Sequence, residues 1–155
     1  MGRLTVQRDP LAFLDVVRRL DGKARARWIG DGDGDLKQQL TDGGVEVTGW
    51  LPRSQAIRLL GESTVYVHTA RWDGAPMTMI EAHALGLPQV AIASPAVEHG
   101  PAVAASTEEL AQAIDTLLAD PGERRANQAA WDGYFKTATV EQQRVALLEA
   151  YGVRR

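Results

Sequence analysis

The sequence predicts an α/β protein built on a parallel sheet with helices on both faces. Three observations lead there. Short apolar runs alternate with helical patterns along most of the chain, the order expected of strand–helix–strand units. Two of those runs, Val65-Tyr66-Val67-His68 and Val90-Ala91-Ile92-Ala93, read as buried strands. Between them Gly74 and Pro76 open a helix, and Gly86 with Pro88 close it, because Pro suits a first helical turn and Gly the position just past the last.

The elements follow in order. Leu11, Leu14, Val17 and Leu20 recur at helical spacing after Pro10. Residues 25–29 form a strand that ends at Gly30-Asp31-Gly32. A polar helix around residues 36–40 stops at Gly43-Gly44, and Val45-Glu46-Val47-Thr48 is the next strand. Residues 54–60 are helical, with Ala56, Leu59 and Leu60 as the packing face. The strand at 64–68, the helix after Pro76 and the strand at 89–93 come next. Ser106-Thr107-Glu108-Glu109 is a capping box that opens a helix with Leu110, Ile114 and Leu117 on one side. Asp120-Pro121-Gly122 breaks that helix, and the remainder to Tyr151 reads as two more.

Size and composition narrow the class. At 155 residues the chain is one domain with room for a proper core, and 45% apolar with 24% charged residues is ordinary for a globular protein. A net charge of −3 and a pI near 5.6 argue against broad binding to nucleic acid or anionic membranes, while leaving room for a local basic pocket. Without cysteine there is no disulfide framework and no thiolate metal site. There is no 18-residue apolar run, and the opening Met-Gly-Arg-Leu lacks the apolar core of a signal peptide, so the expected location is cytoplasmic.

The chemistry concentrates between Asp73 and Pro88. A loop that leaves a strand and aims a helix N-terminus outward favours an anion, since free backbone N–H groups and the helix dipole both point at it. Asp73 and Glu81, eight residues apart, bracket that helix start, where carboxylates can accept hydrogen bonds from sugar hydroxyls. Asp73 before Pro76 equally suits a helix cap, and Glu81 a surface ion pair. His68 at a strand end reads first as a structural histidine and second as an acid or base; His99 has no assigned role. Asp31, Asp33 and Asp35 mimic the start of a calcium loop, but Leu36 stands where such a loop needs Gly and Asp42 where it needs a bidentate Glu.

The stretch Asp73-Gly74-Ala75-Pro76 through Glu81-Ala82-His83-Ala84-Leu85-Gly86-Leu87-Pro88 resembles the motif E-G-x-P-x-x-x-x-E-A-x-A-x-G-x-P of retaining GT-B glycosyltransferases. Gly2-Arg3-Leu4 with Gln7-Arg8-Asp9-Pro10, then Trp28-Ile29-Gly30-Asp31-Gly32, then Val47-Thr48-Gly49-Trp50-Leu51, are similar to further landmarks of that family, in the same order. The resemblance spans nearly the whole chain and implies a Rossmann-like, C-terminal-type domain of GT-B architecture, the half that holds the nucleotide-sugar donor. Asp73 stands in place of the first Glu, and Ala70 where Ser is common. The segment Pro95-Ala96-Val97-Glu98-His99-Gly100 lacks the Gly-Gly character of the family's loop near the sugar.

By this resemblance Arg3 and Arg8 clamp the diphosphate and stabilise the charge that develops on the β-phosphate, and Asp73 orients the hydroxyls of the transferred sugar. Gly74 and Ala75 touch that sugar, Met77 and the Thr78 N–H belong to the donor-binding turn, and Glu81 accepts from the ribose. Gly2, Gly30, Gly32 and Leu51 line the nucleotide. No metal or other cofactor is implied, because basic side chains and a helix N-terminus take its place. In these enzymes an apolar strand comes directly before the G-R-L turn, whereas only Met1 precedes Gly2 here. The sheet is therefore expected to lack its first, central strand, leaving the strands at 25–29 and 64–68 to pair with each other or with something else. Low stability and self-association through unpaired edges follow from that expectation. The acceptor domain is likewise expected from a partner chain or a missing N-terminal domain. Two alternatives stand beside the donor half of an enzyme: a non-catalytic nucleotide-sugar binding module, and a truncated remnant without activity.

Overall fold

The structure, a computed structural model, describes residues 1–74 and 76–136. After a single 3-10 turn at Val6–Arg8 the elements run α1 (Pro10–Arg19), β1 (Arg27–Trp28), α2 (Gly34–Asp42), β2 (Glu46–Val47), α3 (Arg53–Gly61), β3 (Tyr66–His68), α4 (Met77–Ala84), β4 (Gln89–Ile92), β5 (Val103–Ala104), α5 (Thr107–Ala119) and α6 (Pro121–Phe135). Every pairing between these strands is parallel: β1 with β2, β3 with β4, and β4 with β5. Tyr66, Val67 and His68 lie opposite Gln89, Val90 and Ala91, so the two apolar runs of the sequence are neighbours in register.

The helix boundaries are set by local chemistry. Asp9 takes a left-handed backbone (φ 45°) and accepts the Ala12 N–H, so Pro10, which has no N–H to lose, starts α1. Asp33 caps α2 by accepting from both Asp35 and Leu36, and Asp31 pairs with Lys37 at 3.1 Å, which absorbs the D-x-D-x-D run into ordinary helix-start chemistry. Ser106 caps α5 by accepting the Glu109 N–H. Glu109 reaches back to the N–H of Ala105 rather than to that of Ser106, so the expected box closes one residue early. Asp120 ends α5 and accepts the Gly122 N–H to open α6.

Helices cover both faces. α1, α2 and α5 lie on one side, where Val16, Leu20, Val90, Leu110 and Ile114 form one cluster and Leu4, Leu14, Trp28 and Leu40 another. α3, α4 and α6 lie on the other, with Ile29, Leu60, Tyr66, Met79 and Trp131 at the centre. Leu11, expected on the inward stripe of α1, is exposed at 43%. Helix α1 packs against α2 through Leu14 and against α5 through Val16 and Leu20, and Leu11 falls outside that arc.

Two features depart from what the pattern suggested. Strand β5 has only two residues and no alternation to betray it; pairing with β4 makes it a strand. The strands also fall into two sheets, β1–β2 and β3–β4–β5, rather than one continuous ladder. Strands β1 and β3 do not pair with each other, and a slot of about 570 Å³ lies between them. The second of the two terminal helices expected up to Tyr151, and the motif residue Ala75, fall outside the described residues.

Candidate functional site

The site forms where residues 2–9 cross the carboxyl ends of β1 and β3. On the β1 side the Gly2 N–H donates to Ile29 C=O at 2.9 Å, Leu4 N–H to Asp31 C=O at 2.8 Å, and Trp28 Nε1–H to Gly2 C=O at 2.9 Å. This crossing explains two glycines. A Cβ on Gly30 would stand 2.1 Å from the Gly2 carbonyl oxygen, and one on Gly32 would stand 2.4 Å from that of Leu4. Both also adopt positive φ, so the backbone contact excludes a side chain on two grounds. On the β3 side Thr69 Oγ1 donates to Arg8 C=O at 3.0 Å, Arg71 N–H to Gln7 C=O at 2.9 Å, and Gln7 Nε2 to Trp72 C=O at 3.0 Å. The loop is stitched to both strands, which fixes Arg8.

From there Arg8 Nη1 forms an ion pair with Asp73, whose side chain is only 9% exposed. Asp73 therefore serves as the anionic partner of Arg8 and not as the cap of α4, which has no side-chain cap at all. Pro76 occupies the N-cap position, one residue earlier than the first helical turn expected for it. At the other end Gly86 takes φ 71° just past Leu85, as a helix terminator should. The first-turn amides of α4 are thus presented without a capping side chain, a condition that favours an anion.

Thr78 is buried, its hydroxyl 3.5 Å from the Met1 carbonyl oxygen and close to the Tyr66 phenol. Glu81, one turn on, is engaged by Arg53 Nη1 at 2.6 Å. Beneath these groups lie Tyr66 and His68, whose Oη and Nδ1 are 3.4 Å apart. Burial pushes the Tyr66 phenol up from its ordinary value. Burial, reinforced by the Arg8 charge, pushes the His68 imidazole down to about 4, and its Nε2 has no hydrogen-bond partner among the described residues. His68 is thus a neutral, enclosed ring. Burial also pushes the Met1 amino group down to about 5, with Arg8 adding to the effect and Glu81 opposing it.

The structure so gathers Met1, Arg8, Asp73, Thr78 and Glu81, together with Tyr66 and His68, which the motif did not single out. Arg53 was missed altogether: it starts α3 directly after Pro52, in a segment with no motif. Arg3 points elsewhere, its guanidinium 5.7 Å from the centre of the exposed Trp50 ring. Leu51 packs on the edge of the core, Met77 is exposed, and Gly74 sits in the open loop before α4. His99 is at the surface beside Glu98.

A family model, Glycosyl transferases group 1, matches residues 1–120. No curated protein matches the sequence significantly. Among solved structures the chain is similar to HepE of Anabaena in complex with UDP and glucose, with a TM-score of 0.78 at 18% identity over 97% of this chain and 47% of that one. It is similar to the catalytic domain of a cholesterol-α-glucosyltransferase from Helicobacter pylori, with a TM-score of 0.73 at 21% identity over 90% and 96%. It also resembles the C-terminal domain of a glycosyl transferase group 1 family protein, LpcC, from Francisella tularensis, with a TM-score of 0.70 at 18% identity over 92% and 84%. The chain spans about half the length of HepE and most of the two shorter domains.

Proposed function

The chain belongs to the glycosyl transferases group 1 family, a GT-B donor-type domain, and from that premise we propose that its carboxyl-end cleft holds a nucleoside-diphosphate sugar for transfer with retention of configuration. The observation that carries this reading is the Arg8–Asp73 pair set beside the uncapped start of α4. A diphosphate docked there meets a fixed cation and the amides of Met77 and Thr78. Leaving-group charge builds on the β-phosphate as the glycosidic bond breaks, and preorganised donors stabilise that charge without reorganising. HepE is described with UDP, with UDP-glucose and with UDP and glucose, which supports a nucleotide sugar as the ligand class here.

The residues divide the work as follows. Arg8 holds the diphosphate, and Arg3, which rests over the Trp50 ring in the structure, is assigned to its outer phosphate. Glu81 accepts from the ribose once Arg53 releases it, and Asp73 meets the sugar hydroxyls, aided by Gly74 and Ala75. Gly2, Gly30, Gly32 and Leu51 shape the wall beside the nucleoside. Charge on the diphosphate is met by side chains and helix amides in place of a metal. The acceptor is held by another domain or chain, so binding belongs to this domain and turnover to the larger assembly.

One observation favours the binding-only alternative: Asp73 is neutralised by Arg8 and little exposed, which leaves it less free to orient a sugar. Calorimetric titration with UDP, GDP and ADP tests the shared premise. Saturable binding of one of them, weakened by Arg8→Ala, supports a donor site. Equal affinity of parent and Arg8→Ala, or no binding of any, removes it.

A further inference from the structure

Resting on the nucleoside-diphosphate site described above, we propose that residues 50–53 seat the nucleobase and that Arg53 selects its chemistry. The favoured base carries a ring carbonyl oxygen, as uracil and guanine do, where cytosine and adenine carry an amino group.

The position follows from the ligand's own shape. In a nucleoside diphosphate the base and the diphosphate leave the ribose on opposite sides of the ring oxygen, and the two hydroxyls occupy the far edge. With the diphosphate at Arg8 and the start of α4, and the hydroxyls on Glu81, the base falls against the segment that bears Arg53. Arg53 Nη1 already stands 2.6 Å from Glu81 Oε1. It is the first residue of α3, which packs against α4. The N–H groups of Gln55 and Ala56 donate to the Pro52 carbonyl at 2.9 and 3.0 Å, so this start of α3 is a formed turn. Trp50 stands three residues earlier. Arg3 lies over its ring at 5.7 Å, and the ring is still 61% exposed, which leaves area for a base to stack.

Stacking on Trp50 supplies affinity without much preference, because every base has a π-face. Preference comes from the charged groups. The Arg53 guanidinium carries donors only, and its side chain is 75% exposed. Once the ribose takes Glu81, those donors have lost their anionic partner and stand beside the base. The carboxylate nearest this loop belongs to Asp31, whose Oδ2 is 3.6 Å from where a Cβ on Gly49 would stand. It is already held by Lys37 at 3.1 Å and by the Gly32 N–H at 3.0 Å.

Uracil O4 accepts from such a guanidinium, and guanine offers O6 with N7, the pair an arginine fork fits. The amino groups of cytosine and adenine set donor against donor and leave both unpaired, the asymmetry by which a polar site rejects a near-isostere. Because Arg53 is in contact with water, the expected preference is several-fold and not the large factor of an enclosed site.

The test is calorimetric titration of the full chain with UDP, CDP, GDP and ADP, compared within each pair of equal ring size. UDP should bind several-fold more tightly than CDP, and GDP more tightly than ADP. In Arg53→Ala all four should bind more tightly, because Glu81 is free, with CDP and ADP gaining most, so that both ratios fall to near unity. Trp50→Leu should weaken all four by about tenfold, the scale of one lost base–aromatic stack, and leave the ratios as they were. Saturable binding with ratios of unity in the parent overturns the base selection and leaves the donor site standing. Ratios that survive Arg53→Ala overturn the assignment to Arg53, and parental affinities in Trp50→Leu overturn the seat. Binding of none of the four overturns the donor site and the base seat with it.

Discussion

At the residue scale the contacts between residues 2–4 and 30–32 make the sharpest demands. Gly30→Ala places a methyl against the Gly2 carbonyl and strains the backbone, whereas Gly22 has positive φ but open space around it. Gly22→Ala should cost about 1 kcal/mol by conformation alone, within the usual range for such strain. Gly30→Ala should cost at least about 2 kcal/mol more, read by urea unfolding, because the clash is with backbone that cannot rotate away. A second prediction concerns Glu81. Glu81→Ala should weaken nucleoside-diphosphate binding by about 1–3 kcal/mol, the scale of a lost hydrogen bond to a charged group. Arg53→Ala should strengthen it several-fold, since the Arg53 contact at 2.6 Å must otherwise be exchanged. Opposite signs in calorimetry identify a competition for the Glu81 carboxylate; equal signs discard it. The carboxylate itself was visible in the sequence, but its partner was not, because nothing in residues 52–54 announces which helix Arg53 will face.

His68 sets a pH dependence at the same scale. Its folded value is pushed down to about 4 from 6.5, so between these limits the unfolded chain binds a proton that the folded chain does not. Stability therefore rises with pH from about 4 to 6.5 and is fully present above, by an amount on the order of 3 kcal/mol. The Met1 amino group acts with the same sign between about 5 and 8. Urea midpoints measured from pH 4.5 to 8.5 should climb throughout. His68→Leu should flatten the lower part of the climb and spare the upper, and an unchanged slope in that variant would acquit His68.

At the scale of elements, helix ends were the most legible features. Caps and stops act over three or four residues, and that is the range a sequence displays. Ser106→Ala should cost about 1 kcal/mol through loss of the α5 cap, measured by thermal or urea unfolding. A change below a few tenths would mean that Glu109, bonded to Ala105, holds the turn alone. Strands were legible where three or more apolar residues ran together, as at 64–68 and 89–93. Strand β5 was not, because two residues carry no period and gain strand geometry only from β4.

For the molecule as a whole, the proposed function makes this domain the donor-side wall of a cleft. Transfer requires an acceptor held in line with the donor, and positioning contributes several kcal/mol of barrier lowering. The isolated chain should therefore give no detectable glycosyl transfer with a panel of nucleotide sugars. Robust transfer by the purified 155-residue protein would place an acceptor site within it.

What the sequence determined by itself was the order and type of most elements, the two ends of α4 and the identity of its carboxylates, since each rests on near neighbours in the chain. Only the tertiary structure decided that Arg8 and Asp73, 65 residues apart, neutralise one another. It alone decided that Arg53 covers Glu81, that Leu11 faces outward, and that β1 and β3 stand apart with a slot between them. Those outcomes depend on which helix packs over which strand, and packing is a property of the assembled layers that no single stretch of residues contains.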